Sequence, residues 1–154
     1  MITLKTAVQV EVKASPITGE KSLHAKTAFE QGDIISPFDS EDTFLSPNYL
    51  TIQSDESNHI MLMPEFLRFI NHSCSPNAFF DTTAGVVVCL DRIEAGDEIT
   101  HFYPSTEWSM AQSFQCWCGK ENCLGHIKGS AHISQEVLVN YILADHIKRL
   151  ISEN

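Results

Sequence analysis

Arg68-Phe69-Ile70-Asn71-His72-Ser73-Cys74-Ser75-Pro76-Asn77 leaves an apolar stretch and turns at once into polar, turn-forming residues around one cysteine. Such density marks a site or a tightly turned structural loop, because loops held by a scaffold are where binding and catalytic groups concentrate. The segment lies near the middle of a chain of 154 residues, enough for one domain with a real core and too few for two. Hydrophobic residues make up 43% and charged residues 19%, which is the composition of a folded protein and too apolar for a disordered tail.

On both sides of this loop the pattern is of short strands. Downstream, Val86-Val87-Val88-Cys89-Leu90 follows Gly85, with Cys89 read as a small core hydrophobe, and a turn through Glu94-Ala95-Gly96-Asp97 leads into Glu98–Tyr103, stopped by Pro104. Upstream, residues 2–12 alternate apolar with polar, Ser15-Pro16 and Thr18-Gly19 read as a turn, and strands are expected near 23–29, 33–37 and 50–53. Pro64–Phe69 suits a short helical turn. At the end of the chain Ser134 can cap a helix on which Val139, Ile142, Leu143, Ile147 and Leu150 form one packing face, with His146 as a structural residue on it. The expectation is a mainly β fold of short sheets with few short helices and a C-terminal helix.

The second dense stretch is Cys116-Trp117-Cys118-Gly119-Lys120-Glu121-Asn122-Cys123. Three thiols this close cannot form a relaxed disulfide set, and Gly119 permits the tight turn that converging thiolates need. Zinc takes four tetrahedral ligands, so one is missing locally. By spacing alone it is His126, giving three cysteines and a histidine, or Cys74, tying a distant loop to this segment.

Ten Lys and Arg against twenty Asp and Glu give a net charge of −10, the wrong sign for gripping phosphate backbones, so nucleic acid is not expected as a direct ligand; the same acidity would steer a basic partner and is equally the ordinary way in which a small protein stays soluble. No apolar run nears the ~18 residues that span a bilayer, and the alternating N-terminus is unlike a signal peptide. The reading is a soluble, unexported chain in a reducing compartment, placed in the cytoplasm because no Lys/Arg-rich run is present, with nuclear entry by small size or with a partner.

RFINHSCSPN at 68–77, VVVCLDRIEAGDEITHFY at 86–103 and CWCGKENCLG at 116–125 resemble, in order and spacing, the SET domain of protein-lysine methyltransferases with its post-SET cysteine cluster. The resemblance runs over roughly residues 10–127 and implies a SET domain at 1–108, a post-SET zinc-binding segment at 109–129 and a C-terminal helical tail at 130–154. It further implies the SET-domain fold, in which the strand ending at Tyr103 passes beside the Asn-His loop in a knot-like crossing. Asn71 and His72 match the family's pair contacting S-adenosylmethionine, flanked by Arg68 and Phe69. Glu20, Lys21, Ser22 and Trp117 fall at further cofactor positions. Tyr103, also at the cofactor, matches the catalytic tyrosine. Cys74 matches the fourth ligand of one structural zinc, with Cys116, Cys118 and Cys123, and is preferred to His126 on that ground.

The implied chemistry has physical demands of its own. Methyl transfer from a sulfonium to an amine is an in-line displacement, for which positioning two reactants can supply ~7–11 kcal/mol. A lysine ammonium, with an ordinary pKa of ~10.4, must lose its proton before attack, which an apolar channel beside a positive sulfonium favours. A tyrosine hydroxyl can orient the amine without the full negative charge that would stabilise the ammonium. Phe79, Phe80, Phe102, Phe114 and Trp117 are candidate walls.

The chain departs from the family pattern at three places. Glu20 and Ser22 stand where two glycines let the backbone approach the cofactor, His24 replaces an aromatic, and His101 occupies a position commonly Tyr or Phe that influences how many methyl groups are added. The insert at about 38–60 is short, which predicts an open peptide groove or a substrate site completed by another chain. The expected activity is S-adenosylmethionine-dependent methylation of a lysine in a basic, histone-like segment laid down as an added strand. The alternative is a SET-like zinc-containing module that binds a peptide without modifying it.

Overall fold

The computed structural model describes residues 9–48 and 50–154, and short strands dominate its regular structure. Strands β1 (Val10–Ala14) and β2 (Lys21–Ala25) form a hairpin closed by Gly19, whose φ of +74° lets its N–H reach the Ser15 carbonyl at 2.9 Å. Residues 2–8 of the expected first strand lie outside the described residues. The expected strand near 23–29 is Lys21–Ala25, shifted towards the turn.

The main sheet has β3 (Ile34–Pro37), β9 (Val86–Cys89), β8 (Ala78–Asp81), β10 (Thr100–His101) and β7 (Asn71–His72) side by side in that order. β9 is antiparallel to β8, as the Gly85 turn between them requires, and also to β3, whereas β10 runs parallel to β8 on one side and to β7 on the other. Because β7 and β8 are the two ends of the 71–78 loop, the strand leading to Tyr103 lies within that loop, which is the knot-like crossing. Asn77 fastens it: its side-chain amide donates to the Glu98 carbonyl (2.9 Å) and its Oδ1 accepts the Thr100 N–H (2.8 Å), completing the ladder with a side chain. Beneath the sheet, Leu23, Ile35, Val87, Ile93 and Ile99 are fully buried, each contributing roughly 1.5–3 kcal/mol by leaving water.

Three expectations are corrected. Glu98–Tyr103 pairs as a strand only at Thr100–His101: the Tyr103 N–H goes to His72 Nδ1 (3.1 Å), Pro104 has no N–H for a ladder, and Tyr103–Ser105 is a turn of 3-10 helix. The 38–60 insert is a sheet of its own, with β4 (Asp39–Phe44), β6 (His59–Met63) and β5 (Thr51–Gln53) in the order β4-β6-β5. Finally, the C-terminal stripe is not one helix but Gln135–Leu138 and Asp145–Glu153. Between them, the Ser105 hydroxyl donates to the Ile142 carbonyl (2.7 Å), the Ala144 N–H donates to the Ser105 carbonyl (2.9 Å), and the Tyr141 ring stacks on Phe102 at 3.6 Å. These tertiary bonds take the backbone groups that a continuous helix needs, and leave Val139 and Ile142 exposed. His146 is structural as read, buried with Nε2 donating to the Thr106 carbonyl at 2.8 Å. No helix among the described residues is long and apolar enough to cross a membrane.

Candidate functional site

Cys74 enters from the 71–78 loop and Cys116, Cys118 and Cys123 from the turn after β11 (Phe114–Gln115), and the four sulfurs lie within 4.8 Å of one another. Cys74 and Cys116 are 3.9 Å apart, far beyond a disulfide's ~2.05 Å and close to the ~3.8 Å edge of a tetrahedron with 2.3 Å metal–sulfur bonds. Four converging thiols with no disulfide fit zinc. Of the two candidates for fourth ligand, Cys74 is in the cluster, while His126 is exposed on β12 (His126–Ile127) and outside it. The loop and the cysteine turn are also tied by Asn122 and Tyr141, which donate to the Cys74 carbonyl at 2.8 and 2.7 Å.

Two residues before Cys74, His72 makes contacts on both sides. Its Nδ1 accepts the Tyr103 N–H, so in the neutral ring Nε2 carries the proton and points it at the Cys74 sulfur, 3.4 Å away. Burial holds the imidazole neutral, its pKa lowered to about 4. One side chain therefore couples the cysteine cluster to the backbone of Tyr103. The Tyr103 hydroxyl donates to the Ile70 carbonyl at 3.0 Å, and burial, with the carboxylates of Glu107 and Glu98 nearby, pushes its pKa up, so the phenol keeps its proton and offers outward only lone pairs.

Tyr103 and Phe114 lie between two hollows. On one side is a polar cleft of about 890 Å³, lined among others by Glu20, Asn71, His72, Glu98 and Trp117. On the other is a narrower cavity of about 220 Å³, walled by Leu50, Ile52, Leu62, Leu67 and Phe80, into which His101 and Glu107 also project. The insert contributes Leu50 and Ile52, so it builds a wall there. His101 is 2% exposed, its Nε2 paired with Thr106 Oγ1 (3.2 Å), and burial, then His72, lowers its pKa to about 3. Glu107 is 8% exposed, its Oε2 accepting the Gln53 N–H (2.9 Å) and the Thr106 hydroxyl (2.8 Å), and burial raises its pKa to about 7.

The cleft gathers Glu20, Asn71, His72, Tyr103 and Trp117 of the expected cofactor set. Lys21 and Ser22 line a shallower hollow that shares Glu20, Asn71 and Glu98 with it, and Asn71 donates to the Lys21 carbonyl (3.1 Å). The Ser22 hydroxyl is turned to His24 Nε2 (2.8 Å), whose Nδ1 donates to the Gly96 carbonyl (3.1 Å), so the two departures from the family pattern satisfy each other. Arg68 stands apart: it lines the smaller cavity and its guanidinium is engaged by the Leu62 carbonyl and Glu41. Phe69 carries the Lys21 ammonium over its ring, 5.0 Å from the centroid. Of the candidate walls, Phe80, Phe114 and Trp117 line a hollow, while Phe79 packs with Ala144 and Ile147 and Phe102 lies under Tyr141. Sequence reasoning missed Glu107, and no local signal marks it, since its burial depends on Gln53.

Among curated proteins, the chain is 40% identical over 147 residues to the methyltransferase flvH of Aspergillus flavus, covering 94% of this chain and 81% of that one. It is 34% identical over 84 residues to the H3 lysine-36 specific histone-lysine N-methyltransferase of Candida albicans, and 28% identical over 110 residues to that of Saccharomyces cerevisiae. It spans only 10% and 15% of those two proteins. Among solved structures, KRYPTONITE in complex with mCHH DNA, an H3(1-15) peptide and SAH superposes with a TM-score of 0.57 at 24% identity, over 76% of this chain and 29% of that one, a likeness of fold. Residues 20–104 match the family model described as the SET domain, more than half of the chain, and the protein belongs to the SET-domain family.

Proposed function

We propose that the chain is an S-adenosylmethionine-dependent protein-lysine methyltransferase, with the cofactor in the polar cleft and the target lysine in the apolar cavity. The observation that carries this reading is the placement of Tyr103 on both hollows, so that a group in each meets at one phenol. When bound, the cofactor supplies an electrophilic methyl group on a sulfonium. Asn71, His72, Glu20 and Trp117 line the cleft that receives it, and its size and polar lining suit a nucleoside joined to an amino acid. Tyr103, its proton committed to Ile70, accepts a hydrogen bond from the amine and aims its lone pair. The apolar walls exclude water and favour the neutral amine.

Cys74, Cys116, Cys118 and Cys123 are assigned as ligands of one structural zinc that supplies a cross-link and no reactivity, since all four positions are thiolates. The zinc holds the 109–129 segment, which brings Phe114 and Trp117, against the 1–108 domain, while 130–154 braces both. A lysine in a basic, extended segment is the substrate class: the net charge of −10 favours it, and the two yeast relatives carry histone lysine in their names. Intracellular action, in cytoplasm or nucleus, follows from the reduced thiols and that substrate class.

The test is calorimetry of S-adenosylmethionine on the zinc-loaded chain, followed by methyl transfer to histone-tail peptides. Binding with transfer to lysine supports the reading. No binding at millimolar cofactor overturns it in favour of a peptide-interaction module.

A further inference from the structure

The smaller cavity holds an ionisable group that the proposed reaction has not used. Glu107 lies in it beside Tyr103 and His101, its Oε2 held by the Gln53 N–H and the Thr106 hydroxyl, and it makes no ion pair among the described residues. The charged and titratable groups around it do not neutralise it. Arg68 lines the same cavity, but its guanidinium is committed to the Leu62 carbonyl and to Glu41. His101 is held neutral by burial, His146 faces the Thr106 carbonyl from behind, and Tyr103 keeps its proton. A buried carboxylate that has no cation paired to it and lies beside aliphatic walls is costly, and groups perturbed in this way cluster at functional sites.

We propose that the Glu107 carboxylate is the counter-ion of the substrate amine: the cavity takes the cationic end of an alkylammonium group, and Glu107 selects that class over neutral chains of the same shape. The inference rests on the reading of this cavity as the amine side of Tyr103. The geometry supports it in two ways. The aliphatic walls, Ile52, Leu62 and Leu67, suit a chain of methylenes, and the carboxylate and the phenol oxygen both accept hydrogen bonds and neither competes with an ammonium as donor. Moreover, a charge complement that lies within the cavity discriminates by leaving a buried carboxylate unpaired whenever a neutral group enters. Glu107 is thus a specificity-determining residue for uptake of the ammonium, a step that precedes the loss of its proton required for attack.

The experiment titrates the zinc-loaded full chain with n-butylammonium chloride and, separately, with 1-butanol, following the cavity methyl groups by NMR at pH 6 and pH 8. Butylammonium keeps its charge across this range, while Glu107, with a pKa of about 7, goes from mostly protonated to mostly ionised. The expected result is butylammonium binding about tenfold tighter at pH 8 than at pH 6, and weak 1-butanol binding that is the same at both. Glu107→Gln keeps an acceptor for the Gln53 N–H, and is expected to lose the pH dependence and about tenfold of the pH 8 affinity, with 1-butanol unchanged. Equal binding of the two probes by the unmodified chain at pH 8, or a Glu107→Gln variant that binds butylammonium as before, overturns the proposal. The same samples titrated with S-adenosylmethionine separate the two readings. Glu107-dependent ammonium binding without cofactor binding supports the counter-ion and sinks the methyltransferase; cofactor binding without ammonium preference does the reverse.

Discussion

Tyr103 donates its phenol proton to the Ile70 carbonyl, 3.0 Å away, while its backbone N–H is taken by His72. The ring is therefore positioned from both ends by the loop that carries Asn71 and His72. Tyr103→Phe removes one hydrogen bond and nothing else, which costs about 1 kcal/mol of stability. S-Adenosylmethionine affinity is expected to stay within about threefold, because the backbone contacts remain, while transfer falls by about 10² or more. Single-turnover assays beside calorimetry check this, and undiminished turnover would remove Tyr103 from its assigned role.

The metal assignment turns on Cys74. Cys118→Ser and Cys74→Ser are each expected to lower zinc from one per chain to nearly none, whereas His126→Ala, outside the cluster, leaves it at one. Elemental analysis after gel filtration decides, and the opposite pattern for Cys74 and His126 would transfer the fourth bond to the histidine.

Glu107 also makes stability depend on pH. Its folded pKa of about 7 lies above the ordinary 4.5, so the folded state binds this proton more tightly than the unfolded one. Its contribution is fully present below pH 4.5 and is lost as pH rises through 7. Glu107→Gln, neutral at every pH, should match the unmodified chain at about pH 4 and exceed it at about pH 8 by up to roughly 3 kcal/mol. Urea denaturation at the two pH values measures the difference, in which the titrations of His72 and His101 cancel. A variant less stable at pH 8 would show that Glu107 is already neutralised in the folded chain.

Tyr141 joins the tail to the cysteine cluster through its hydroxyl, on the Cys74 carbonyl, and through its ring, on Phe102. Tyr141→Phe keeps the stack and loses the bond donated to the Cys74 carbonyl and the one accepted from Asn122, about 1 kcal/mol or somewhat more. Zinc release to a chelator is expected to quicken about fivefold, and further in Tyr141→Ala, which also loses the stack. Release at an unchanged rate in both variants would mean that the tail does not brace the cluster.

What the sequence made legible was local. The Asn71-His72 loop and the three clustered cysteines announce themselves by residue type and close spacing, and Val86–Cys89 by its β-branched run. Of the sheet built by the insert, the strand near 50–53 was readable and the rest was not, because Asp39–Phe44 is acidic and mostly exposed, with a bulge between Ser40 and Asp42 that breaks any period-2 pattern. The C-terminal stripe had helical spacing, but its middle is claimed by Ser105 and Phe102, partners about forty residues earlier. Glu107, in Ser105-Thr106-Glu107-Trp108 after Pro104, reads as a polar surface turn until Gln53 covers it from 54 residues away. Long-range burial of a polar residue leaves no local signature.

The embrace of β10 by both ends of the 71–78 loop sets an order of assembly. Thr100 and His101 can gain their parallel neighbours only after β7 and β8 have been brought together, and those neighbours are 23 to 29 residues back along the chain. Closure over such separations is slow, so the β8–β9 hairpin, whose partners are local in sequence, should form first and the Tyr103 segment dock late. Pulse-labelled hydrogen exchange during refolding is expected to protect the amides of Val87 and Phe80 before that of Thr100; simultaneous protection would show that the crossing forms with the sheet. A nascent chain halted before residue 98 would accordingly carry the whole Asn71-His72 loop and yet have no site, because the strand that presents Tyr103 is also the centrepiece that shapes the loop.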